Sequence, residues 1–166
     1  MAYDLISSQI LTSASSIVSF ENIPQTYKDL IFVVSAKTSQ ASIRSSYNLT
    51  VNDDTTNANY QRREFYDEDS LSGGEFQFDR LIGNANGANA TNYFNINEMQ
   101  INGYTASTLR KEIHGIVANP NNATTNYSNW RTGLTRTSNE AITKLSFEKI
   151  GSTWVVGSSF CLYGLK

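Results

Sequence analysis

Apolar and polar residues alternate along this chain with a period of two. Tyr47, Leu49 and Val51 are interleaved with Asn48, Thr50 and Asn52. Leu109, Lys111, Ile113, Gly115 and Val117 are interleaved with Arg110, Glu112, His114 and Ile116. Trp130, Thr132 and Leu134 alternate with Arg131 and Gly133, and Thr143, Leu145 and Phe147 with Lys144, Ser146 and Glu148. This period turns one set of side chains inward and the other outward on a half-buried strand. Leu30–Val34 is apolar throughout, and its β-branched and aromatic content reads as a strand covered on both faces. Further strands are expected at Asp4–Leu11, Ile17–Phe20, Asn59–Phe65, Tyr93–Asn102 and Ser158–Leu165. Within Tyr93–Asn102, Phe94 and Ile96 are out of phase with Met99 and Ile101, which predicts a bulge or tight turn near Asn97–Glu98. No segment carries a sustained helical stripe. Asn139–Leu145 is the best helix candidate, and a single turn fits Ile23–Asp29 after Pro24.

Polar stretches at Asn52–Asn59, Asp67–Asp79, Gly83–Asn92 and Ala118–Asn129 read as loops, rich in small residues that satisfy turn backbones locally. No linker or internal repeat divides the chain. Residues 1–166 therefore read as one domain, with 1–11 a possible edge strand or arm. The expected fold class is all-β: a single jelly-roll-like two-sheet β-sandwich of about 8–10 strands, with little or no helix.

Composition narrows the chemistry. Leu, Ile, Val and Phe make up 39 of 166 residues, and charged residues 17%, which leaves enough apolar mass for a core under a neutral polar surface. Asn, Ser and Thr together number 54. Such surfaces form many hydrogen bonds without the desolvation cost of charges and suit large protein assemblies. A net charge of −2 gives no electrostatic drive toward nucleic acid. Asp4 sits where a signal peptide needs positive charge. No apolar run approaches the roughly 18 residues of a membrane span. The expectation is a soluble protein made in a cytoplasm, with neither nucleic acid nor membrane as partner.

The single Cys161 and single His114 exclude an internal disulfide, a thiolate zinc site and a multi-histidine metal site. His114 reads as an outward-facing strand residue and Cys161 as a small packed thiol, so a nucleophile–base pair is not expected. Within the acidic cluster Asp67, Glu68 and Asp69, the residues Asp67 and Asp69 with Glu75 imitate a calcium loop loosely but lack a glycine at the sixth place; the cluster reads as a solvated loop. No metal or cofactor is expected. Tyr60, Arg62, Arg63, Phe65 and Tyr66 cluster, and Trp130 precedes Arg131 and Arg136. Such groups stack on bases or sugars, or pair across strands to stabilise a sheet.

Three stretches resemble small virion structural proteins of tailed bacteriophages, a group often found in phages of aquatic bacteria. Ala14–Ser39 contains Ile23, Pro24, Tyr27, Asp29 and Leu30 in an Ile-Pro-x-x-Tyr-x-Asp-Leu arrangement. Asn59–Glu68 is a second similarity. Trp130–Phe147, followed by Ser158–Lys166 with its ending Leu162-Tyr163-Gly164, is the third. Cys161 and the acidic Asp67–Asp69 depart from the group's pattern. The resemblance implies a virion-associated β domain with no catalytic residue. The expected role is a capsid decoration or cement subunit, a homo-oligomer such as a trimer, bound to the major capsid protein or other virion proteins. Tyr3, Leu5, Ile6, Ile10 and Leu11 are the expected contacts, with the loops Gly83–Asn92 and Ala118–Asn129 facing outward. The alternative is a tail-fibre module that binds a receptor or carbohydrate, with Tyr66, Tyr127 and Trp130 as stacking platforms. A glycan-cleaving enzyme using Asp67, Glu68 or Asp69 is a third reading.

Overall fold

Strands form wherever the alternation runs. The computed structural model describes residues 2–42, 44–68, 71–88, 93–119 and 128–166. Within them lie β1 (Tyr3–Ile10), β2 (Ile17–Phe20), β3 (Asp29–Ala36), β4 (Arg44–Val51), β5 (Tyr60–Glu68) and β6 (Leu71–Gln77). These are followed by β7 (Leu81–Asn86), β8 (Asn95–Asn102), β9 (Lys111–Asn119), β10 (Ser128–Arg136), β11 (Leu145–Glu148) and β12 (Ser159–Leu165). Among the described residues the only helical piece is a 3-10 turn at Asn57–Asn59. The chain is all-β, and two antiparallel sheets form a sandwich.

Twelve described strands exceed the expected eight to ten, because two stretches read as loops contain strands. Asp67–Asp79 holds β6, and Gly83–Asn92 begins inside β7. β6 has no β-branched residue, and rings from β5 cover its two glycines. A Cβ on Gly73 would lie 2.7 Å from the Tyr66 hydroxyl, and one on Gly74 would lie 3.3 Å from two ring carbons of Phe65. The two rings supply the packing that the glycines lack. Neither helix candidate forms: Asn139–Lys144 is irregular up to β11, and Ile23–Lys28 makes bends only. The bulge expected near Asn97–Glu98 is also missing, since β8 holds an unbroken register with β3 and β9. The change of phase arises because Asn95 and Asn97 face the core while Ile96 faces out.

The first sheet has eight strands in the order β1-β12-β3-β8-β9-β10-β5-β6, and the second has four, β2-β11-β4-β7. Setting aside the β5–β6 and β9–β10 hairpins leaves eight strands. Renumbered along the chain, they run 1-8-3-6 in one sheet and 2-7-4-5 in the other. β1 pairs with β12, β2 with β11, β3 with β8 and β4 with β7, so the chain is one long antiparallel ribbon. Wrapping that ribbon brings β12 against β3 and β11 against β4. This is jelly-roll topology. The two remaining hairpins dock on each other through β5 and β10 and widen the first sheet.

The core lies between the sheets. Leu30, Phe32 and Val34 on β3 face Tyr47, Leu49 and Val51 on β4, all with almost no exposure. The Phe147 ring on β11 stands 4.9 Å from Phe32 and 5.7 Å from Phe160. Trp154 meets Tyr47 and Phe160 edge-on, each at 5.1 Å, and its indole N–H donates to the Phe147 carbonyl. Each such side chain contributes about 1.5–3 kcal/mol by leaving water. The segment before β3 is clamped to β12: Lys28 N–H donates to the Leu165 carbonyl at 2.8 Å. The Tyr27 ring lies directly on Gly164.

Beyond the four-stranded sheet, the inward face of the wide sheet turns ionic. Arg62 is buried and pairs with Glu64, with Glu75 at 3.0 Å and with Asp79 at 2.8 Å. Arg136 reaches Asp54 at 3.5 Å and Glu140 at 3.3 Å. A further pair lies at the four-stranded sheet itself, where Arg80, just before β7, meets Glu148 of β11 at 3.3 Å. Buried charges of this kind persist only when paired and hydrogen-bonded. The Lys111 ammonium, also buried, donates to the carbonyls of Gly103, Ala106 and Leu109. Burial, aided by the Arg136 charge, holds its pKa below the ordinary lysine value.

Candidate functional site

Period two divides the arginine–aromatic cluster of β5 and β10 between two environments. Tyr60, Arg62, Glu64 and Tyr66 point inward from β5, and Arg63 and Phe65 outward. On β10, Trp130, Thr132, Leu134 and Arg136 point inward, and Arg131, Gly133 and Thr135 outward. The outward set joins residues of β6, β8 and β9 around a concavity of about 680 Å³ on the wide sheet.

Strand register gives the geometry. Gly133 sits directly opposite His114 on β9 and Arg63 on β5. Without a side chain it leaves a hollow: a Cβ placed there would come no nearer than 3.8 Å to any neighbour. Arg131, two residues earlier on the same face, pairs across with Ile116 and Phe65. Phe65 is 63% exposed, with one side of its ring resting against Gly74. The Arg63 guanidinium lies 5.3 Å from the centre of the Phe76 ring, within cation–π range. Glu98, Gln100 and Glu112 form the far wall. His114 points outward as expected, its Nε2 3.5 Å from Glu112.

The residues singled out in the sequence are distributed as follows. Tyr66 and Trp130 are direct cross-strand partners on the inward face, with ring centres 5.6 Å apart. Trp130 is half-buried against the core. Tyr127 and Asp69 lie outside the described residues, as do the side chains of Asp67 and Glu68, whose backbones belong to β5. Glu75 is engaged by Arg62. Cys161 is half-buried on the outer face between Ser8 and Val33. Tyr3, Leu5 and Ile10 are exposed on β1, an edge strand of the wide sheet, while Ile6 and Leu11 pack against the core. A register shift between Leu5 and Ser7 moves the exposed set from odd positions, Tyr3 and Leu5, to even ones, Ser8 and Ile10. Of the expected outward loops, Gly83–Gly87 is buried. Residues 120–127 of the other lie outside the described residues.

Gly133 and Phe76 are members of the concavity that sequence reasoning missed. For Gly133 the signal was present: a lone glycine inside an alternating strand marks close approach or missing side-chain volume. Comparison with known protein families, curated proteins and solved structures gives no match for this chain.

Proposed function

We propose that this chain is a structural subunit of a phage virion, a decoration or cement protein that binds the capsid shell. The observation that carries the reading is the edge strand β1. Among the described residues it pairs on one side only, with β12. It presents Tyr3, Leu5 and Ile10 at 59%, 57% and 70% exposure. Exposed apolar side chains beside unsatisfied strand backbone mark a surface made to be covered. A shell contact of standard size would bury about 800 Å² on each partner, and a trimer is the closed form that matches a local three-fold position of a shell.

The likeness to phage virion proteins gains physical sense from the fold. Tyr27, in the Ile-Pro-x-x-Tyr-x-Asp-Leu stretch, packs on Gly164 in the terminal Leu-Tyr-Gly stretch. Two motifs far apart in sequence thus form one joint. Mass spectrometry of purified particles tests the role. Hundreds of copies per particle, lost on Leu5→Glu/Ile10→Glu, are expected. A dozen copies or fewer would place the chain in a fibre or collar. Absence from finished particles would overturn the proposal.

A further inference from the structure

The concavity on the wide sheet is polarised. Arg63 and Arg131 occupy the β5–β10 side, and Glu98 and Glu112 the β8–β9 side. The arginines of the inward face, Arg62 and Arg136, each hold a carboxylate. Among the described residues neither Arg63 nor Arg131 has a carboxylate partner: Arg63 rests on Phe76, and Arg131 lies between Ile116 and Phe65 in register. As diagonal neighbours, Arg63 and Arg131 stand roughly 7–8 Å apart at the backbone, beside the hollow over Gly133. An anion above Gly133 would lie within reach of both, and a planar carboxylate matches the guanidinium fork.

We propose that this groove binds a carboxylate-bearing sugar chain. Three features select that ligand. The Phe65 ring, held against Gly74 and open on its other side, is a ready platform for the apolar face of a pyranose. Gln61, Gln100 and Thr135 line the groove and both donate and accept hydrogen bonds, as sugar hydroxyls require. Glu98 and Glu112 accept from hydroxyl donors, which sugar rings offer in number and the phosphates of a nucleic acid do not. The ligand must therefore combine carboxylates with many hydroxyls. This inference is independent of the virion reading, since it concerns the isolated chain.

Calorimetric titration of the full chain with tetragalacturonate, an alginate tetramer and sialyllactose tests it, with methyl-esterified tetragalacturonate as the uncharged control. At least one acidic probe binds at millimolar concentration, and esterification weakens tetragalacturonate by about tenfold or more if that is the probe bound. Arg131→Gln lowers affinity for the acidic probe by about tenfold and leaves the ester unchanged. Phe65→Ala weakens acid and ester alike. Gly133→Val fills the hollow and abolishes binding, with an unchanged melting temperature showing that the sheet is intact. Equal affinity for acid and ester, or no binding of any acidic probe, overturns the proposal. So does a concentration-dependent dimer broken by Phe65→Ala, which would assign the groove to a second copy.

Discussion

Gly164→Ala isolates the joint between the segment before β3 and the last strand. The added Cβ would stand 2.3 Å from Tyr27 Cγ and 2.5 Å from both Cδ atoms. Carbon atoms pack at about 3.5–4.0 Å, so the ring must retreat by more than about 1 Å. It has little room to do so, because Lys28 N–H is tied to the Leu165 carbonyl at 2.8 Å and the ring packs against the core. Overpacking of this kind costs about 1–3 kcal/mol, and complete expulsion of a large ring about 3–5 kcal/mol. Removing a glycine from a strand returns about 0.5–1 kcal/mol. The expected net loss is about 2–3 kcal/mol, or roughly 5–10 °C in melting temperature for a domain of this size. Urea unfolding should show a lower midpoint at unchanged slope. In a Tyr27→Ala background the same substitution should become neutral or stabilising, giving a coupling energy of about 1.5 kcal/mol or more. A midpoint that is unchanged or raised by Gly164→Ala alone would show that the ring does not rest on this glycine.

Two further substitutions probe the interior. The Tyr47 hydroxyl is fully buried beside Gly83 and Met99 with no hydrogen-bond partner among the described residues, and burial pushes its pKa far above the ordinary value; Tyr47→Phe should raise stability by about 1 kcal/mol, and a loss in urea unfolding would reveal a partner. Partial burial pushes the Asp54 pKa up, but the Thr56 N–H, the Asn59 amide and the Arg136 charge outweigh it and hold the carboxyl below its ordinary value. Its stabilisation is therefore complete above the unfolded aspartate range and lost as pH falls through the depressed folded value. Asp54→Asn should cost about 1–3 kcal/mol at neutral pH and flatten the acid limb of the stability–pH profile; an unchanged limb would refute the assignment.

Much of the sheet was legible because one face is apolar and the other polar. β9 and β10 follow the alternation residue by residue, down to the outward His114 and the inward Lys111. β6 and β7 escaped because their stabilisation comes from other strands. Phe65 and Tyr66 cover the glycines of β6, and on β7 Asn84 accepts from the Ser46 hydroxyl at 2.6 Å. Asn95 and Asn97 misled the phase of β8 because polarity there does not signal exposure: both are fully buried. The arginine–aromatic cluster was visible as a group, but its division between an ionic seam and an open groove depends on strand direction and register. Pairing of β5 with β10 joins residues about 70 positions apart, a relation that local pattern does not encode.

The two extra hairpins change what substitution can do to this protein. Hydrocarbon packing is concentrated in the wrapped ribbon, whereas β5, β6, β9 and β10 supply most of the groove from side chains directed away from it. Recognition and foldedness are thereby written on different residues. The outward positions of these strands are free to diversify, exchanging one ligand preference for another, while the thermodynamic threshold for remaining folded is met elsewhere.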